Sequence, residues 1–132
     1  MAENKIAKIL IVEDEEAICR AYEEALKTDG FSVLIARNGQ DGLDLAIREK
    51  PDLILLDILM PVMDGLTMMD KLRAASPYGK SVPIILLTNL SSDEERIISA
   101  VTKNEPSYYL VKSDWNLNQI VEKVKERLGR QE

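Results

Sequence analysis

The sequence predicts an α/β fold: a doubly wound parallel sheet with helices on both faces. Three observations carry that expectation. Four short apolar runs each end in a polar residue: Ile9-Leu10-Ile11-Val12 into Glu13-Asp14, Leu53-Ile54-Leu55-Leu56 into Asp57, Ile84-Ile85-Leu86-Leu87 into Thr88, and Tyr108-Tyr109-Leu110-Val111 into Lys112. Runs this apolar, bounded by prolines such as Pro51 and Pro61, read as strands covered on both faces. Segments with helical periodicity lie between them, and the connections are short. Helical crossovers between strands imply parallel, right-handed winding.

In chain order, Lys5 to Val12 is predicted as the first strand, with Asp14 capping the next helix and Glu15 and Glu16 in its first turn. Ile18, Ala21, Tyr22, Ala25 and Leu26 form that helix's inner face, and Asp29-Gly30 ends it. Phe31 to Ala36 is the second strand. Asn38-Gly39 opens a second helix with Leu43, Ala46 and Ile47 inward, and Pro51 stops it. After the Asp57 strand, Pro61 to Gly65 is a loop with an Asp64-Gly65 turn signal. Leu66, Met69 and Leu72 mark a third helix that ends near Ser76-Pro77, and Tyr78 to Pro83 connects it to the Thr88 strand. Ser91 or Ser92, with Glu94 or Glu95 at capping-box spacing, starts a fourth helix with Ile97, Ile98 and Val101 inward. Pro106 closes that segment. Ser113 or Asp114 caps a fifth helix, with Leu117, Ile120, Val121, Val124 and Leu128 inside and Gly129 at its end.

Composition narrows the function. A chain of 132 residues with 45% hydrophobic content suits one domain with a core, placed at about residues 5–129. Lys+Arg 17 against Asp+Glu 23 gives a net charge of -6, which argues against direct nucleic-acid binding. There is no histidine and one cysteine, Cys19, so a Ser-His-Asp triad, a histidine-ligated metal and a cysteine metal cluster are excluded on this chain. No signal peptide or membrane-length apolar stretch is visible, so a cytoplasmic location is expected.

Parallel strands bring their C-terminal ends to one edge, where ligands of open α/β sheets bind. Glu13, Asp14, Asp57, Thr88 and Lys112 would meet there. Adjacent carboxylates repel unless a cation joins them, and all-oxygen ligands select magnesium, manganese or calcium. Lys112 adds an ammonium and Thr88 a hydroxyl donor, which together with a metal make a pocket for a phosphoryl group. Asp57, exposed at the end of its apolar run, is the best-placed nucleophile. Taken singly, Asp14 reads as a helix cap and Glu13, Thr88 and Lys112 as ordinary strand ends. Their joint occurrence is what points to a site.

The chain resembles the receiver domain of response regulators, the phosphorylatable half of two-component signalling. The resemblance rests on Glu13-Asp14, Asp57-Ile58-Leu59-Met60-Pro61-Val62-Met63-Asp64-Gly65, Thr88 and Tyr109-Leu110-Val111-Lys112. It implies a flavodoxin-like five-stranded sheet of order 2-1-3-4-5. It also implies that Asp57 takes a phosphoryl group from a histidine kinase or phosphotransfer protein. Asp14, Asp57 and the Leu59 carbonyl would hold Mg²⁺, with Glu13 acting through water. Lys112 would pair with a phosphate oxygen. Thr88 and Tyr109 would act as the switch pair, and a downstream protein would be engaged through the helix 4–strand 5–helix 5 face. Three positions depart from the family pattern: Ser113 follows the lysine in place of a proline, Asn89 follows the threonine in place of a small residue, and Asn104-Glu105-Pro106 replaces a Gly-Ala pair. Leu59 and Leu90, which would flank the path of an attacking water, cannot hydrogen-bond to it, so slow self-dephosphorylation is expected.

Other readings remain open at this point. A Mg²⁺-dependent aspartyl-phosphate phosphatase would carry a second aspartate two residues after the nucleophile, where this chain has Leu59. A flavin- or nucleotide-binding module would need a glycine- or hydroxyl-rich phosphate loop after the first strand, where this chain has Glu13-Asp14-Glu15-Glu16. The switch reading makes the chain no enzyme beyond its own phosphorylation and dephosphorylation.

Overall fold

The structure, a computed structural model, describes residues 6–88, 94–106 and 108–129. Five strands alternate with helices: β1 (Lys8–Val12), α1 (Glu16–Thr28), β2 (Ser32–Ala36), α2 (Gly39–Glu49), β3 (Leu53–Asp57), α3 (Gly65–Ala75), α4 (Pro77–Ser81), β4 (Ile84–Thr88), α5 (Glu94–Asn104), β5 (Tyr108–Val111) and α6 (Leu117–Arg127). A single 3-10 turn, Lys112–Asp114, leads from β5 toward α6. All neighbouring strands pair in parallel, in the order β2-β1-β3-β4-β5. The doubly wound sheet is therefore the one expected.

Alternation along the strands builds two cores. Leu10, Val12, Ile54, Leu56, Ile84 and Leu86 face one layer with α2 and α3, joined by Met68, Met69, Leu72 and Ile97. Ile9, Ile11, Leu53, Leu55, Ile85 and Leu87 face the other, against Cys19, Tyr22 and Leu26 of α1 and Ile120, Val121 and Val124 of α6. β3 and β4 are buried along their whole length, as their unbroken apolar runs require. Each fully buried Leu or Ile contributes roughly 1.5–3 kcal/mol relative to exposure, so these two strands anchor the sheet and fix where Asp57 and Thr88 emerge.

Several local expectations are corrected. Asp14 does not cap α1; Glu15 is the cap residue and makes no side-chain cap bond, and the Glu15 N–H donates back to the Glu13 carboxylate at 3.1 Å. Tyr78 to Pro83 is not a plain loop: Ser76 accepts from the Gly79 N–H and nucleates the short α4, with Pro77 in its first turn. The fourth and fifth helices of the sequence reading are thus α5 and α6. Neither Ser113 nor Asp114 caps α6; Asn116 does, in a capping box with Gln119. Asp64 is the cap of α3, accepting from the Thr67 N–H, so the Asp-Gly pair starts a helix. Ile47 is 41% exposed and Ala21 is exposed. Ala46 faces inward as expected and Gly42 joins it on the inner line of α2; a methyl on Gly42 would press on the Val12 and Met68 side chains. No cis peptide bond occurs among the described residues, so Lys112–Ser113 is trans. Lys5, the proposed caps Ser91 and Ser92, and residues Asn89 and Leu90 lie outside the described residues, as do the side chains of Glu94, Glu95 and Ile98.

A cavity of about 560 Å³ lies at the end of the sheet away from Asp57, among Arg73, Lys80, Lys103, Asn104 and neighbours. Arg73 is spent on the carbonyls of Asn104, Gly79 and Val82, and Lys103 pairs with Asp70 at 2.7 Å. These cations tie the lower ends of α3, α4 and α5 together.

Gly65 holds α3 against the acidic end of β3. Its N–H bonds the Ile58 carbonyl at 2.8 Å, and a methyl there would collide with the Asp57 carbonyl oxygen. Gly65→Ala is expected to destabilise the fold by about 1–3 kcal/mol, the usual cost of inserting a methyl into a filled space. Equilibrium urea unfolding measures this, and an unchanged midpoint would show that the β3–α3 connection adjusts freely.

Candidate functional site

Each strand delivers its terminal polar residue to one edge of the sheet. Glu13 follows β1 and is tied to β2 by its N–H to the Ala36 carbonyl at 3.0 Å. Asp57 is the last residue of β3 and pairs with Leu87, one step before Thr88 ends β4. Lys112 directly follows β5. Register, set by the hydrophobic pattern, therefore aligns the polar ends.

The geometry brings together the residues singled out by their positions. One carboxylate oxygen from each of Glu13, Asp14 and Asp57 lies within 4.8 Å of the others. The Lys112 ammonium sits 2.9 Å from Asp57 Oδ1 and 3.0 Å from Glu13 Oε1. Glu13 is 2% exposed and Asp57 6%, so Asp57 is not exposed as its place at the end of the run suggested: it ends β3 while still covered, and the two are buried charges sharing one partner. Thr88 is buried, and its Oγ1 has no hydrogen-bond partner among the described residues. Tyr109 stands 40% exposed on β5. Leu59 lies in the loop after β3 with its side chain 61% exposed.

That loop is held in an unusual shape. Val62 has φ 70°, a sterically costly region for a β-branched residue. The Met63 N–H reaches the Pro61 carbonyl at 2.7 Å, and the Gly39 N–H bonds the Met63 carbonyl at 2.9 Å. The tight turn leaves Leu59 and Val62 in solvent at the lip of the site.

Electrostatics follow from burial. Burial, then repulsion from Asp57, pushes the Glu13 carboxyl above its ordinary value, with Lys112 pulling it back in part. Burial likewise raises Asp57, opposed by Lys112 and reinforced by Asp14. Burial alone would lower Lys112, but hydrogen bonds and charges from Asp57 and Glu13 outweigh it and hold the ammonium well above the ordinary lysine value. One cation is thus too little for the carboxylates around it. The donor set is all oxygen and under-neutralised, which fits a hard divalent cation such as Mg²⁺.

Sequence reasoning missed Arg37. It follows β2 directly, and its guanidinium donates to the Asp14 main-chain carbonyl from Nη2 at 2.7 Å and Nε at 3.3 Å. The signal was available: β2 also ends in a polar residue, as the other four strands do.

A pH dependence follows. Both buried carboxyls bind protons more tightly in the folded chain than their ordinary values of 3.8 and 4.5. In metal-free buffer, stability should fall as pH rises past those values and level off once both are ionised. Asp57→Asn removes one of the two and its repulsion of Glu13, so it should flatten that fall and raise the urea midpoint at pH 7. A lower midpoint at pH 7 would mean that the Lys112 pair outweighs burial and repulsion.

The comparisons with known proteins agree with this architecture. The family model described as response regulator receiver domain matches residues 9–125. Response regulator MprA of Mycolicibacterium vanbaalenii is 37% identical over 90 residues, covering 68% of this chain and 38% of that protein. Response regulator PleD of Caulobacter vibrioides is 41% identical over 91 residues, covering 69% of this chain and 20% of that protein. The matched stretch is therefore well under half the length of these curated relatives. The solved structure of a receiver domain protein from Methanospirillum hungatei superposes with a TM-score of 0.83 at 29% identity, covering 95% of both chains. With a family match across nearly the whole sheet and its acidic edge, the chain belongs to the response regulator receiver domain family of two-component signalling.

Proposed function

We propose that this receiver domain is a phospho-acceptor switch, with Asp57 as the acceptor. The observation that carries the reading is Asp57 itself: a carboxylate at the end of a fully buried strand, 2.9 Å from the Lys112 ammonium and beside Glu13 and Asp14. A histidine kinase or phosphotransfer protein would be the donor. An Asp57 carboxylate oxygen forms the new O–P bond while the donor's P–N bond breaks, and the imidazole leaves with the electron pair. Asp14, Asp57 and the Leu59 carbonyl would hold Mg²⁺, with Glu13 through water; when bound, the ion supplies positive charge to the phosphoryl oxygens. Lys112, already shared between two carboxylates, is placed to turn to the incoming phosphate.

Thr88 supports a switching role, because a buried hydroxyl without a partner is costly and a phosphoryl oxygen would satisfy it. Tyr109, exposed on β5, would then follow Thr88. Output then passes through the face of α5, β5 and α6 to a partner protein, since phosphate-dependent ordering of one segment is a general switching device. Within residues 1–132 the receiver domain would act in the cytoplasm and pass its signal by protein–protein contact; no helix among the described residues is long and apolar enough to span a bilayer. A phosphatase is disfavoured because Leu59 offers no acid or base.

Incubation with acetyl phosphate and MgCl₂, read by intact mass, tests the assignment. The wild-type chain should gain one phosphoryl group, and Asp57→Asn should gain none. Full labelling of the variant would overturn Asp57 as the acceptor.

A further inference from the structure

Arg37 reaches across from the end of β2 to the segment that carries Asp14. That segment lies between β1 and α1. The Asp14 carbonyl precedes the helix, whose cap is Glu15 and whose first ladder bond runs from the Cys19 N–H to the Glu15 carbonyl. The Asp14 carbonyl therefore takes no part in the α1 ladder, and the Arg37 fork supplies its donors at 2.7 and 3.3 Å. Glu13, on the other side of Asp14, is fixed by its N–H to the Ala36 carbonyl and by the Cys19 thiol on its own carbonyl at 3.2 Å. The peptides on either side of the Glu13–Asp14 link are thus held at two points, one by the last residue of β2 and one by the Arg37 side chain just beyond it.

We propose that Arg37 is a positioning residue for the divalent-cation site: by fixing the Asp14 peptide it keeps the Asp14 carboxylate turned toward Glu13 and Asp57. The inference rests on the Mg²⁺ site proposed above. Two effects of Arg37 oppose each other. Its fork organises a ligand, which tightens cation binding, while its positive charge repels the cation. The guanidinium is exposed, so water and salt weaken the repulsion, whereas the misplacement of a ligand is not screened. Positioning therefore wins. Lysine at 37 separates the two effects, because it keeps the charge but replaces a rigid fork with a single flexible donor.

MgCl₂ binding measured by calorimetry on the wild type, Arg37→Lys and Arg37→Gln tests this. Both variants should bind Mg²⁺ more weakly, with the dissociation constant raised roughly three- to ten-fold, below the roughly 10–100-fold typical of groups that bond a ligand's own side chain, because Arg37 holds the main chain instead. Phosphorylation by acetyl phosphate should need more Mg²⁺ in both yet reach a near-wild-type rate at saturation, a split that general destabilisation would not produce. Unchanged affinity in Arg37→Lys, or tighter binding in Arg37→Gln, would overturn the positioning role and leave the cation site standing. Absence of Mg²⁺ binding by the wild type would overturn the site and this inference together.

Discussion

Two buried carboxylates share one ammonium group at the edge of the sheet, and the site depends on that imbalance. Lys112 satisfies Asp57 and Glu13 at 2.9 and 3.0 Å, while Asp14 stands within 4.8 Å of both without such a partner in the cluster. Burying unpaired charge is costly. The fold tolerates the arrangement because β1 and β3 must end where they do: their apolar runs fill both layers, and the polar residue that ends each run has no other place to go. The same constraint that packs the core thus concentrates negative charge at one edge.

The loops around that edge are specialised to hold it. Gly65 permits α3 to approach the Asp57 carbonyl. The turn at Val62 stores backbone strain and presents Leu59 and Val62 to solvent. Arg37 clamps the Asp14 peptide. The opposite end of the molecule carries a cavity of about 560 Å³, but Arg73 and Lys103 there are engaged with carbonyls and Asp70.

Much of this was legible in the sequence because its strongest signals are long-range in effect but local in form. An unbroken apolar run such as Leu53 to Leu56 identifies a doubly covered strand, and its terminal residue identifies a site position. The convergence of Glu13, Asp14, Asp57 and Lys112 followed from parallel pairing alone. What failed were choices between neighbours of similar propensity. Asp14 was read as the cap of α1 with Glu15 in its first turn, but the helix starts one residue later, with Glu15 at the cap position and its N–H bonded to the Glu13 carboxylate. Asn116 displaced Ser113 and Asp114 as a cap because the 3-10 turn at Lys112–Asp114 delays α6. Ile47 looked inward by periodicity, but the close contact of Gly42 with Val12 sets the rotation of α2. Arg37 could have been placed at the edge as the polar residue after β2, but its partner could not be read, because it is a main-chain atom 23 residues away.

The central claim is that the acidic edge is an under-neutralised site built for a divalent cation. Urea unfolding with and without MgCl₂, at constant ionic strength, tests it directly, since a ligand that binds only the folded chain stabilises it in proportion to its occupancy. The account predicts a higher midpoint with MgCl₂ for the wild type, by about 1.4 kcal/mol at roughly ten times the dissociation constant, and a much smaller shift for Asp14→Ala. No shift in the wild type, or an equal shift in both, would contradict it.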